Sequence, residues 1–247
     1  MSRRPRTTTV AGGGSGALLA QMTWQEAQRH ARRVLVVPVG SLEQHGPHLP
    51  LDCDSRVAAA VADAVAAQVS DAAVTPVIPV GVSGEHAGFP GTISIGAPAL
   101  TDLVVQLSRH AAPDWAEVLV VNGHGGNRPA LDAASEVCVR EGRRVRVWHA
   151  AWPEGDAHAG RIETSLLLHL APDQVRLELA VPGNQTPLAA LMPALRTGGV
   201  RSVSPNGVLG DPRGATAAQG QEVFEKLVER AVAAAHGRPC DRDPVTS

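Results

Sequence analysis

The segments Val34–Val39 and Val118–Val121 are apolar at every position, with no polar residue on alternate sites. A strand that alternates can leave one face in water, but a strand apolar throughout needs cover on both faces. That requirement selects a sheet packed between two layers of helices. The rest of the chain agrees with it. Helical patterns span 55–69, 101–112, 129–141, 162–170 and 215–235, and Thr23 with Glu26 forms a capping box opening a helix through about Arg32. Two further strands are read at 73–80 and 143–150, the first interrupted or placed at an edge by Pro76 and Pro79. Strands that alternate with helices imply right-handed βαβ units and a mostly parallel sheet. Beyond Pro182 the chain is rich in Gly and Pro up to Pro212 and is read as irregular. A single α/β domain over 21–240 is expected, with flexible tails at 1–20 and 241–247.

Composition narrows the functions. The chain has 22 Lys and Arg against 24 Asp and Glu, a net charge of -2, which gives no reason to expect nucleic acid or an anionic membrane as partner. Aromatic residues make up 2% and Tyr is absent, so the core is built from Ala, Val and Leu. Cys53, Cys138 and Cys240 are odd in number and show no CxxC spacing, so neither a disulfide framework nor a thiolate zinc site is expected. Arg3 and Arg4 mimic a twin-arginine export signal, but Gly12, Gly13, Gly14 and Gly16 interrupt the apolar stretch after them. A cytoplasmic location is the simpler expectation.

The polar residues gather where strands end. Glu43 and His45, Glu85 and His86, and His124 each follow an apolar strand, and His158 follows the segment ending near Ala150. In an open α/β sheet the loops at the carboxyl ends of the strands form the ligand crevice. In an extended stretch Glu43 and His45, two apart, project to one side. Asp54 can fold back onto them through the turn at Gly46, Pro47 and Pro50. His124 lies in a glycine turn, and Glu163 in the first turn of an apolar helix. Three carboxylates and two imidazoles form a mixed O/N set suited to Zn, Mn or Fe(II), and mutual repulsion of the carboxylates favours two cations over one.

Each of these residues also has a plainer reading. Asp54 could cap the following helix, Glu163 could complement a helix N-terminus, and a lone strand-end histidine is commonly structural. Composition and spacing alone leave both readings open. The turn at 123–126 lacks the Gly-Lys-Ser/Thr ending of a phosphate loop, and there is no HExxH or GxSxG. Asn122 and Asn127 are expected to hold the glycine turn rather than touch substrate. Trp148 is expected in the core, as is Trp152. Cys53 has no motif-supported base and is not taken as a nucleophile. Glu85 and His86 stand open between a substrate or subunit contact and a solvated loop.

The segments PVGSLEQHGPHLPLDCD (38–54), VNGHGGN (121–127) and HAGRIETSLLL (158–168), in this order and spacing, resemble the creatininase (creatinine amidohydrolase) family. The resemblance runs from Thr23 to about Leu227. It implies a three-layer α/β sandwich, creatininase-like, holding two divalent metal ions. By motif position Glu43, Asp54 and His124 would hold one metal and His45, Asp54 and Glu163 the other, with Asp54 as bridge and His158 as the catalytic histidine. It further implies amide hydrolysis by a metal-bound hydroxide, and a homo-oligomer, relatives commonly forming hexamers. Creatininase itself has a bulky acidic ending to its NGH turn, whereas Gly125 and Gly126 follow His124 here, which is read as opening the pocket. That difference, with the segments 83–96, 155–172 and 187–220, resembles a peptidase branch that removes a C-terminal Val-Tyr dipeptide from a modified precursor peptide. A family amidohydrolase acting on a small cyclic amide or formamide is the alternative, and a non-catalytic metal- or nucleotide-binding module is a more distant one.

Overall fold

The structure, a computed structural model, describes residues 17–30, 33–152 and 155–237. Five parallel strands, β1 (Ala17–Leu18), β2 (Val34–Val39), β3 (Ala72–Val74), β4 (Glu117–Asn122) and β5 (Val145–His149), form one sheet in the order β1-β3-β2-β4-β5. Helices cover both faces. Val34, Val36, Leu119 and Val121 pack towards α2 (Cys53–Gln68), α5 (Arg161–Leu170) and α7 (Ala217–Ala235). Leu35, Val37, Val118 and Val120 pack towards α3 (Ala97–Ala111) and α4 (Arg128–Arg140). The two runs that are apolar at every position are therefore buried on both sides, and the architecture is a three-layer α/β sandwich. No helix among the described residues is long and apolar enough to cross a membrane.

Three elements depart from expectation. The second strand stops at Val74, and beyond it only Ile78 returns, in a single bridge to Val39. Pro76 lies in that gap and Pro38 of β2 has no N–H to offer across it. The interruption is real, but β3 is not an edge strand, because Ala17 and Leu18 pair with Ala73 and Val74. Those two residues fall inside the stretch assigned to a tail; their backbone groups complete the ladder that β3 would otherwise leave open. Residues 1–16 and 241–247 of the expected tails, Cys240 and the end of the first helix at 31–32 lie outside the described residues. The third departure is α6 (Leu188–Val203), in a stretch read as irregular because Pro193, Gly198 and Gly199 oppose a helix. Gly199 indeed breaks it, with φ 65, but Leu191 and Val200 pack with Leu209 and Phe89 and hold both halves. The capping box at α1 (Trp24–His30) forms as read: Thr23 N donates to Glu26 Oε2 at 2.7 Å.

Topology and register locate the crevice. From β2 the chain steps to β3 on one side, then returns to place β4 on the other, so the strand order reverses between β2 and β4. Val39 stands opposite Asn122, and Asn122 opposite His149, so three strands end in line. The N-terminus of α2 is drawn against these ends. A Cβ on Gly123 would overlap the carbonyl oxygen of Asp54 and come within 3.2 Å of Ala58 Cβ, so only glycine lets β4 end this close to the helix. Gly123→Ala is expected to cost about 1–3 kcal/mol by overpacking, read from urea denaturation. An unchanged midpoint would mean that the contact is slack.

Candidate metal centre

At the switch point the chain buries an unusual concentration of charge. Glu43 and His45 have no solvent exposure, and Asp54, His124, His158 and Glu163 are all buried. They come from several different elements. Glu43 and His45 lie on the extended stretch after β2, pinned where Glu43 N donates to Leu51 O at 3.0 Å. Asp54 lies in the first turn of α2 but does not cap it: its carboxylate accepts from Ser41 Oγ and faces His45 Nε2 at 3.2 Å. His124 follows β4. His158 is held by reciprocal backbone bonds with Leu209, and Ala159 after it turns in a left-handed conformation, φ 51. Glu163, in the first turn of α5, reaches back to accept from Ala159 N at 2.5 Å.

The side chains form one contiguous cluster. His45 Nδ1 donates to the Glu43 carbonyl at 3.1 Å, which fixes the ring with Nε2 facing Asp54 Oδ1 at 3.2 Å. His124 Nε2 lies 3.1 Å from Glu43 Oε2, and its Nδ1 3.4 Å from Asp54 Oδ2. Ligand atoms of Glu43, His45 and Asp54 lie within 4.8 Å of one another, as do those of His45, His158 and Glu163. All six residues singled out in the sequence lie in this cluster, although these groups cut across the two ligand sets that the resemblance implies.

The electrostatics are those of charges brought together in a buried site. Burial pushes the carboxyls of Glu43 and Glu163 up to about 7. Burial opposes ionisation of Asp54 too, but His45, His124 and the Ser41 hydroxyl hold it well below the usual carboxylate range. The His124 imidazole, despite its burial, is pushed up to about 10 by Glu43 and its acidic neighbours. Burial, with His45 and His86 beside it, holds His158 well below its ordinary value. Cys53 is pushed up to about 12 by burial, so it stays a thiol and is no nucleophile. Most telling, neither oxygen of the Glu43 carboxylate has a hydrogen-bond partner, although His86 and His124 stand 3.2 and 3.1 Å away. An orphaned buried carboxylate among nitrogen and oxygen donors fits a divalent cation.

Sequence reasoning passed over several residues here. Gln44, between the two motif residues, donates from its amide to His86 Nδ1 at 2.9 Å and to Gly207 O at 3.0 Å. Its backbone carbonyl accepts from His158 Nε2 at 2.8 Å, which leaves His158 Nδ1 on the side of Glu43, 3.9 Å from Oε1. His158 packs between the rings of His45 and His86, at 4.4 and 4.5 Å. Glu85 and His86, left open in the sequence, both reach the cluster. Their position at a strand end was the available signal. Asn122 and Asn127 do hold the turn: Asn122 Nδ2 donates to His124 O, while Asn127 bonds Gly40 O and Val82 N and so ties three strand-end loops together. Trp148 is in the core and Trp152 packs at its margin. The two glycines after His124, read as opening the pocket, differ: Gly125 is exposed with nothing near it, whereas the space beside Gly126 is filled by Glu85.

Without cations, the raised pKa of Glu43 makes its protonated form a stabilising one. That contribution is complete below its ordinary 4.5 and is lost as pH rises through about 7. Glu43→Gln cannot ionise, so in chelator its urea midpoint is expected to gain on the parent between about pH 5 and about pH 8. A difference that stays flat would show that the carboxyl ionises freely.

The chain is similar to known proteins over most of its length. The family model described as creatinine amidohydrolase matches residues 20–235. The mycofactocin precursor peptide peptidase of Mycolicibacterium smegmatis is 52% identical over 200 residues, covering 79% of this chain and 81% of that protein. Among solved structures, a manganese creatininase superposes with a TM-score of 0.77 at 27% identity, covering 91% of this chain and 99% of the other. A variant creatininase of Zn–Zn type gives 0.77 at 26% identity, with 92% and 100% covered.

Proposed function

The chain belongs to the creatininase family of amide-bond hydrolases, and from that premise we propose that it is a two-metal peptidase acting on a mycofactocin precursor peptide, from which it releases a C-terminal Val-Tyr dipeptide. The metal part rests on the orphaned carboxylate of Glu43 inside the carboxylate–imidazole cluster. The peptide part rests on relatives such as the Mycolicibacterium smegmatis protein, 52% identical to this chain over 200 residues. In this reading Glu43, Asp54 and His124 hold one cation and His45, Asp54 and Glu163 the other, with Asp54 shared. Manganese, zinc or iron(II) suits the donor set. When bound, such a pair supplies Lewis acidity that acidifies water and polarises the scissile carbonyl.

The chain's own groups do the rest. His158 meets the reaction neutral, because burial disfavours its cation. Its Nε2–H is engaged by the Gln44 carbonyl, so Nδ1 is the atom that takes a proton from the attacking water and returns it to the leaving amine. Gln44 fixes the tautomer of His86 through Nδ1 and keeps that ring against His158. Leu177, Leu179, Val181 and Leu188, exposed on one segment, offer an apolar surface that a second copy in a homo-oligomer would cover.

Two variants separate the roles. Asp54→Ala is expected to lower bound metal at both positions by elemental analysis, and unchanged stoichiometry would remove the bridge. His158→Ala is expected to keep its metals and lose about 10²–10⁴ in turnover. The decisive assay incubates metal-loaded protein with the precursor peptide and identifies the fragment by mass spectrometry. Opening of the creatinine ring without dipeptide release would overturn the peptide assignment.

A further inference from the structure

Glu85 lies in the single turn Gly84–His86, on the loop that follows β3, and none of the motifs that carry the family resemblance to a metal site includes it. Its Oε1 stands 3.2 Å from His124 Nε2, the same nitrogen that Glu43 Oε2 approaches at 3.1 Å and that lies 2.9 Å from the Val82 carbonyl oxygen. Ligand atoms of Glu43, Glu85 and His124 lie within 4.8 Å of one another. The Glu85 side chain is 33% exposed where those of Glu43 and His124 are 0% and 7%, so it closes the cluster on its solvent side. A single imidazole cannot serve all the acids around it. Glu43, Asp54 and Glu85 converge on His124, and both Glu43 oxygens remain unbonded. Carboxylates crowded in this way repel unless a cation lies among them.

Gly126 adds an independent observation. A Cβ there would overlap Glu85 Oε1 and His124 Nε2 and come within 2.6 Å of Val82 O. The glycine is required by space, and the space it frees is the space the Glu85 carboxylate occupies.

We propose that Glu85 is a ligand of the cation held by Glu43 and His124, a third carboxylate delivered to that position from the β3 loop across the gap left by Gly126. The inference rests on the two-cation reading above. It assigns the β3 loop a direct part in the centre, alongside the loops after β2 and β4.

The test uses the full chain, stripped with chelator and titrated with Co²⁺, read by elemental analysis after desalting and by visible absorption. The parent is expected to take up two equivalents. Glu85→Gln, of the same shape, is expected to bind one of them at least about 10-fold more weakly, since removal of even an outer partner of a metal ligand costs about 10–100-fold. The absorption of that site should change with the loss of an oxygen ligand. Glu85→Asp should recover part of the affinity, and the circular dichroism of both stripped variants should match the parent. If Glu85→Gln and Glu85→Asp both bind two equivalents with the parent's affinity and spectrum, the assignment is overturned while the two-cation reading stands. If the parent takes up no cobalt, or if Asp54→Ala binds as the parent does, the two-cation reading itself fails.

Discussion

Three carboxylates are buried together, and the rest of the molecule is arranged around that fact. Glu43, Asp54 and Glu163 are each less than a tenth exposed and lie within reach of only a few imidazoles. An ionised carboxylate taken out of water costs several kcal/mol unless it is met by charge and hydrogen bonds. The fold meets part of that cost with Ser41, the Ala159 amide and the histidines, and leaves part of it open at Glu43. A site left short of positive charge in this way is one built to take it from outside.

The charged interior is set in a neutral frame. The sheet contributes strand ends in register at Val39, Asn122 and His149. Amide side chains contribute the joints: Asn122 within the turn, Asn127 between loops, and Gln44 between His86 and the backbone at Gly207. These groups carry no charge, so they add order without adding to the electrostatic imbalance. His158 takes its place in the same frame, its position set by a backbone bridge to Leu209 and its ring by the carbonyl of Gln44.

Much of this could be read from the chain before its fold was known, and the parts that could not share a cause. The two all-apolar runs dictated a sheet covered on both faces, because burial on both sides is a property of each residue in them. The five carboxylates and imidazoles could be found because strand ends and motif spacing are local. By contrast β1 is two residues long and exists only because β3 offers it a partner. The helix at Leu188–Val203 goes against its own Pro and Gly content and depends on Leu209 and Phe89, distant in sequence. Gln44 and Glu85 acquire their neighbours from other loops, and the filling of the space at Gly126 could be seen only once the β3 loop was in place. What was missed was set by tertiary contact.

The bonds of Asn127 to Gly40 and Val82 have a thermodynamic consequence. Ordering the backbone of a residue costs about 1–2 kcal/mol in conformational entropy. Here that cost is met when the sheet forms, since the loops after β2, β3 and β4 are fastened to one another by groups that do not belong to the centre. A cation or a peptide arriving later finds the loops already ordered. Its binding free energy is then available for selecting among ions and substrates rather than for assembling the place where they bind.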